Sequence, residues 1–283
     1  MKKAILILTF VFQTLLGIAQ KDSLNNSKAS LEGWYKKVNL RGYAQVRLNG
    51  LYQSNPNLAC EQCDRSWGTN NSFFFRRIRL IFFGQIHPRV FLYIQPDFAS
   101  SVSSTALHFA QIRDAYFDVS LDKKGEFRLR LGQSKVPFGF ENMQSSQNRL
   151  PLDRADALNS ALSNERDLGA FFYWAPLDKR KLFADLVSQG LKGSGDYGIL
   201  GLGFYNGQTA NRPELNSNKH FVARATWPFE VKNQIIEPSV QFYTGQYSFG
   251  NTFISSNTKL KADNLYLDRR VAGTFVLYPN FAS

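Results

Sequence analysis

The residues with the most chemistry to offer are arginines spaced two apart. Arg77 and Arg79 alternate with Ile78, Leu80 and Phe82, and Arg128 and Arg130 alternate with Phe127, Leu129 and Leu131. In an extended strand that spacing gathers the guanidinium groups on one face and the apolar side chains on the other. Arg41, Arg47 and Arg224 hold equivalent positions in two further alternating stretches. Such a wall attracts anions and repels cations, because each guanidinium stays charged and offers a planar fork to phosphate or carboxylate.

Catalysis finds little support. The histidines are His87, His108 and His220, and none stands beside a serine and an acid in a recognisable triad motif, so no enzyme is expected. Cys60 and Cys63 form a single C-x-x-C in a polar stretch. Two thiols fall two ligands short of a zinc site, and a loop disulfide in an oxidising compartment is preferred to a metal or redox role. No cofactor is expected.

The elements that must carry the arginines are strands. From Val38 to Leu48 the even positions are apolar or small while Asn39, Arg41, Tyr43, Gln45 and Arg47 intervene. The same period recurs over 73–86, 90–98, 112–121, 127–135, 167–174, 197–205, 220–227, 234–243 and 265–278. That makes about ten strands, near the roughly 9–11 residues that cross a bilayer at a tilt. Short connections at 87–89, 122–126 and 228–233 alternate with long polar ones at 53–72, 137–166 and 206–219. Short turns on the periplasmic side and long loops outside are the habit of outer-membrane barrels. The fold class expected is therefore all-β, an antiparallel transmembrane β-barrel.

Two of the arginines have a competing structural role. Centring a tight hairpin on the His87-Pro88-Arg89 turn puts Ile86 opposite Val90 and Arg79 opposite Asp97. Pairing Leu121 with Phe127 puts Asp118 opposite Arg130, so both arginines are candidates for ion pairing as much as for free anion contact. In the doublets Arg76-Arg77 and Arg269-Arg270 one member faces the lumen; Arg76 and Arg269 are placed toward lipopolysaccharide phosphates, an assignment that a one-residue bulge would swap.

The connection from Pro137 to Arg166 carries Arg149, Arg154 and Arg166 among apolar Leu150, Leu152, Leu158 and Leu162. Its length and apolar content favour a loop folded into the lumen as a constriction over a disordered one. The stretch 178–189 breaks the strand pattern: Leu182, Phe183, Leu186 and Val187 follow helical spacing, with Asp178 as a candidate cap and Gly190 as a stop. An amphipathic helix packed on the barrel rim is preferred there to one plugging the mouth.

The chain opens with Lys2-Lys3, an apolar run to Ile18 and a small-x-small site at Gly17 and Ala19, which reads as a signal peptide over 1–19. A short periplasmic segment over 20–37 and one barrel domain over 38–283 follow. Past residue 20 no window is long and apolar enough for a membrane helix, so a membrane role must use strands. Aromatic residues make up 14%, with 25 Phe and 12 Tyr, and a mean hydropathy of −0.29 is what averaging an alternating pattern gives. The net charge of +12 would suit a nucleic-acid binder, but the export signal removes that partner. Small anions, outer-membrane lipid and lipopolysaccharide remain.

The motif GQSKVPFGFE at Gly132–Glu141, followed by NRLPLDRADALN and ERDLGAFFYW and preceded by FFFRRIRL and YIQPDFAS, resembles the phosphate-selective porins O and P. The resemblance covers nearly all the chain after Asn39. It implies a sixteen-stranded, homotrimeric outer-membrane barrel whose inward-folded third loop and basic lumen pass phosphate or related anions. The smaller strand count and the end at Phe281-Ala282-Ser283, without a terminal aromatic residue, lead to the expectation of a C-terminally truncated chain. Lys135 lies within the family motif, although simple parity points it outward and a bulge near Gly132 would be needed to bring it in. A general or oligosaccharide pore is the alternative, since Tyr43, Phe83, Tyr93, Tyr116 and Tyr243 fall on the inward parity.

Overall fold

The computed structural model describes residues 33–48, 73–99, 110–146, 166–191, 197–250 and 260–278. A 3-10 turn at Trp34–Lys37 leads into a single antiparallel sheet. Its strands are β1 (Asn39–Leu48), β2 (Phe73–His87), β3 (Val90–Asp97), β4 (Gln111–Ser120), β5 (Phe127–Lys135), β6 (Arg166–Trp174), β7 (Leu200–Tyr205), β8 (His220–Thr226), β9 (Phe229–Val231), β10 (Gln234–Tyr247) and β11 (Tyr266–Tyr278). Each strand pairs with its sequence neighbours, except that β8 pairs directly with β10 and short β9 hangs off β10. Among the described residues β1 and β11 are the ends of the path and no ladder joins them. Among the described residues two helices, α1 (Phe140–Met143) and α2 (Leu177–Ser188), interrupt the succession.

The sheet is inside out by the standards of a soluble protein. On β11 the alternation is unbroken: Val271 is 73% and Phe275 70% exposed, while Asp268, Arg270 and Thr274 face the other side. On the covered side Arg77 is 3%, Asp97 2% and Arg224 1% exposed. Charged groups inside and large apolar groups outside are stable together only where the outer surface meets hydrocarbon and the inner one meets water or counter-charge. No helix among the described residues is long and apolar enough to cross a membrane.

The turns follow local chemistry. Between β4 and β5 the Asp122 carboxylate accepts the backbone N–H groups of Lys124 and Phe127 at 3.0 Å each, and Gly125 takes the positive φ that closes the turn. The β2–β3 turn centres on Pro88-Arg89, but His87 rather than Ile86 lies opposite Val90 because a bulge falls between Gln85 and His87. A second bulge, at Arg76, lets Phe74 join Arg77 on the inner side. The connection at 228–233, expected as a short turn, contains β9 and its hairpin to β10. It closes through Lys232-Asn233 with Lys232 at φ 56, without the glycine that marks such hairpins.

Helix α2 differs from its sequence reading at its start. Pro176 precedes it, Asp178 caps nothing and is exposed, and Gly190 at φ 73 ends it as expected. Its apolar stripe packs at the rim, on the inner side of the strand ends. Phe183 and Leu186 are buried among Ala175, Ile199, Ile235 and Tyr278 on the inner face at the short-turn end of the sheet. The signal peptide, most of the 20–37 segment, Cys60, Cys63 and His108 lie outside the described residues.

Candidate functional site: a basic cavity on the inner face

The inner face is built from cross-strand ion pairs. Arg79 faces Asp97, as the hairpin count predicts, and donates from Nε to Oδ2 at 2.7 Å. Asp118 faces Arg130 and accepts from Nε and Nη2 at 2.6 and 2.8 Å, with Arg128 Nη1 3.5 Å away. Arg166, at the start of β6, reaches Asp114 of β4 at 2.9 Å. Arg224 is completely buried, held by Glu237 at 3.0 Å and by the Gly198 carbonyl at 2.7 Å; Tyr278 and Thr226 donate to the same Glu237. Sequence reading found Asp97 and Asp118 but missed Asp114 and Glu237. Both lie at inward parity on their strands, which is the signal that locates them.

The two sides of the inner face are unlike. On β6–β10, Phe171, Tyr173, Tyr205, Val222 and Tyr243 form an apolar cluster that Val136 and Phe138 complete. Glycines make room for it: a Cβ on Gly203 would come within 2.3 Å of the Phe171 ring. On β1–β5 the inner residues are mostly charged or hydroxylated, and there a cavity of about 560 Å³ opens.

The segment leaving β5 crosses between these sides. The Gly139 N–H donates to Gln241 of β10 at 2.5 Å, and Asn142 donates to the Val136 carbonyl at 2.8 Å. Seven residues beyond Gly139 the Ser146 hydroxyl meets Arg79 and Tyr43, each at 2.6 Å. The described part of the long loop therefore lies inside. Arg149 and Arg154 lie outside the described residues.

Lys135 points inward without the bulge that parity required. The β5 ladders with β4 and β6 run without a register shift. Gly132 instead takes φ 125, a conformation open to glycine, and the chain turns inward so that Ser134, Lys135 and Val136 are all buried. The Lys135 ammonium donates to the Met143 and Gln144 carbonyls, fastening the end of α1.

Of the residues singled out from sequence, Arg41, Arg79, Arg128, Arg130, Lys135 and Arg166 line the cavity. Arg77 lies buried beside them, its Nη1 2.5 Å from Gln45 Oε1, and Arg47 is buried toward the end of β1. Arg224 belongs to the inner face but not to the cavity. Lys123, Lys124 and Arg180 line it as well and were missed, because a turn and a rim helix were not expected to face the lumen. Arg180 is anchored by the Gly125 carbonyl at 2.7 Å. The wall thus presents nine basic side chains against the two carboxylates of Asp114 and Asp118.

A family model described as phosphate-selective porin O and P matches residues 46–263, most of the chain, including all of the described segments but the first and last, which it matches in part. The chain belongs to this porin family. It is thereby an outer-membrane protein and an anion-selective channel rather than an enzyme. No curated protein matches the sequence. Family and geometry meet at one point: the GQSKVPFGFE motif is the stretch where this porin's β5 ends and its chain turns into the interior.

Proposed function

We propose that this porin passes phosphate or related oxyanions through the cavity on the β1–β5 side, with the segment after Lys135 narrowing the path. The observation that carries the reading is the imbalance of nine basic groups over two carboxylates around one water-accessible space. Buried carboxylates do not cancel it. They fix the orientation of Arg79, Arg130 and Arg166, and such anchored guanidinium groups meet an anion with little reorganisation. Arg77 and Arg47 extend the same basic path, while Arg224 braces the wall behind it. Homotrimerisation is what the family resemblance implies for it, and outward Arg269 with Arg76 at its bulge suit lipopolysaccharide phosphates.

The deciding experiment is the zero-current potential of the refolded protein in a planar bilayer under a tenfold potassium chloride gradient. An anion-selective sign is expected, with inorganic phosphate competing for the current. A potential near zero would favour the sugar-pore reading, and a cation-selective sign would overturn the basic lumen as the determinant.

A further inference from the structure

A bare oxyanion uses cations and hydrogen-bond donors, yet the cavity has a third component. Phe83, Tyr93 and Tyr116 stand directly opposite one another across β2, β3 and β4, and all three line it. Tyr93 and Tyr116 stack at 5.1 Å with 11° between their planes. A guanidinium closes each end of the row: Arg41 lies 4.9 Å from the Phe83 ring centre and Arg130 3.9 Å from that of Tyr116. The two ends differ. Arg130 is committed to Asp118, whereas Arg41 is exposed and has no carboxylate partner among the described residues. Beside the row, Gln95 accepts from the Tyr93 hydroxyl at 2.9 Å, and its amide N–H groups meet no acceptor among the described residues.

Cations, an apolar row and neutral hydrogen-bonding groups together match a molecule with one charged end and one polyhydroxylated body. The cavity of about 560 Å³ falls in the roughly 300–1,000 Å³ range of sites that enclose small organic molecules. We propose that the Arg41–Tyr116 wall is a binding site for a phosphorylated monosaccharide, with its phosphate against Arg41, a C–H face along the aromatic row and hydroxyls at Gln95. The proposal rests on the anion reading above and deepens it.

Titration calorimetry of the detergent-refolded full chain with glucose 6-phosphate, inorganic phosphate and glucose separates the two. Glucose 6-phosphate is expected to bind about tenfold tighter than inorganic phosphate, with glucose weaker than both. Tyr93→Ala and Arg41→Gln should each bring its affinity down toward that of phosphate, and Tyr93→Phe, which keeps the ring, should retain most of it. Arg41 is an exposed side chain of an end strand, so its variant tests the site even where Tyr93→Ala fails to fold. Equal binding of the two phosphates, or no heat with any of the three, overturns the sugar-phosphate site and leaves the anion channel standing. Glucose binding tighter than either phosphate overturns both.

Discussion

Arg79 and Asp97 face each other across β2 and β3, both buried, with Nε 2.7 Å from Oδ2. The same guanidinium reaches Tyr43 at 3.0 Å and Ser146 at 2.6 Å. A carboxylate on β3 thereby orients an arginine on β2 that in turn holds the inward-folded segment. Charge on the wall and the shape of the path are set by one connected group of side chains.

Breaking that group from the acidic side should be expensive. Asp97→Ala leaves a buried guanidinium uncompensated, for which about 3–5 kcal/mol of lost stability is expected. The double variant Arg79→Met/Asp97→Ala removes both charges and should recover much of the loss. Urea unfolding of the two variants and of Arg79→Met completes the cycle; additive effects would show that the pair is not coupled.

Ser146 tests the attachment without touching a charge. Ser146→Ala removes one hydroxyl shared by Arg79 and Tyr43, which remain 3.0 Å apart and can bond each other. A small stability loss, about 0.5–1.5 kcal/mol, is expected, together with noisier single-channel current as the segment loosens. Unchanged current noise would mean that the Gly139–Gln241 and Lys135 contacts suffice to hold it.

The alternation of Arg and apolar residues made the strands and their inward faces legible, because a face buried against charge and a face in hydrocarbon both enforce the two-residue period. Counting from the tight turns also located the Arg79–Asp97 and Arg130–Asp118 pairs, although at β2–β3 a bulge shifted the turn itself. Three features escaped the count. Lys135 turns inward through the positive φ of Gly132, and backbone conformation at one glycine leaves no trace in hydrophobic periodicity. The position of α2 depends on what its stripe finds to cover, and Ile235 and Tyr278 are distant in sequence. Arg180 reached the cavity by that same long-range packing.

The β4–β5 turn carries a pH dependence of known sign. Hydrogen bonds from the Phe127 and neighbouring backbone N–H groups hold the Asp122 carboxyl below its ordinary value. A folded-state value below the unfolded one contributes stability that is fully present above the ordinary aspartate range and is lost as pH falls through the depressed value. NMR titration should place Asp122 below an exposed reference aspartate, and Asp122→Ala should flatten that part of the acid-unfolding curve. A titration at or above the reference would remove the turn from the acid response.

Helix α2 supplies the sharpest test of how the short-turn mouth is filled. Phe183 is 1% exposed and Leu186 fully buried, so Phe183→Ala should cost about 3–5 kcal/mol by opening a cavity under the helix. Two polar ties remain, from Arg180 to the Gly125 carbonyl and from Lys179 to the Pro228 carbonyl at 3.3 Å. They keep the helix at the mouth but no longer press it to the wall. Single-channel conductance should therefore rise in Phe183→Ala and rise less in Phe183→Leu, which refills most of the space. Stability that falls while conductance stays constant would mean that α2 braces β6, β10 and β11 without standing in the path, and that the exit is set by Lys123, Lys124 and Arg128 instead.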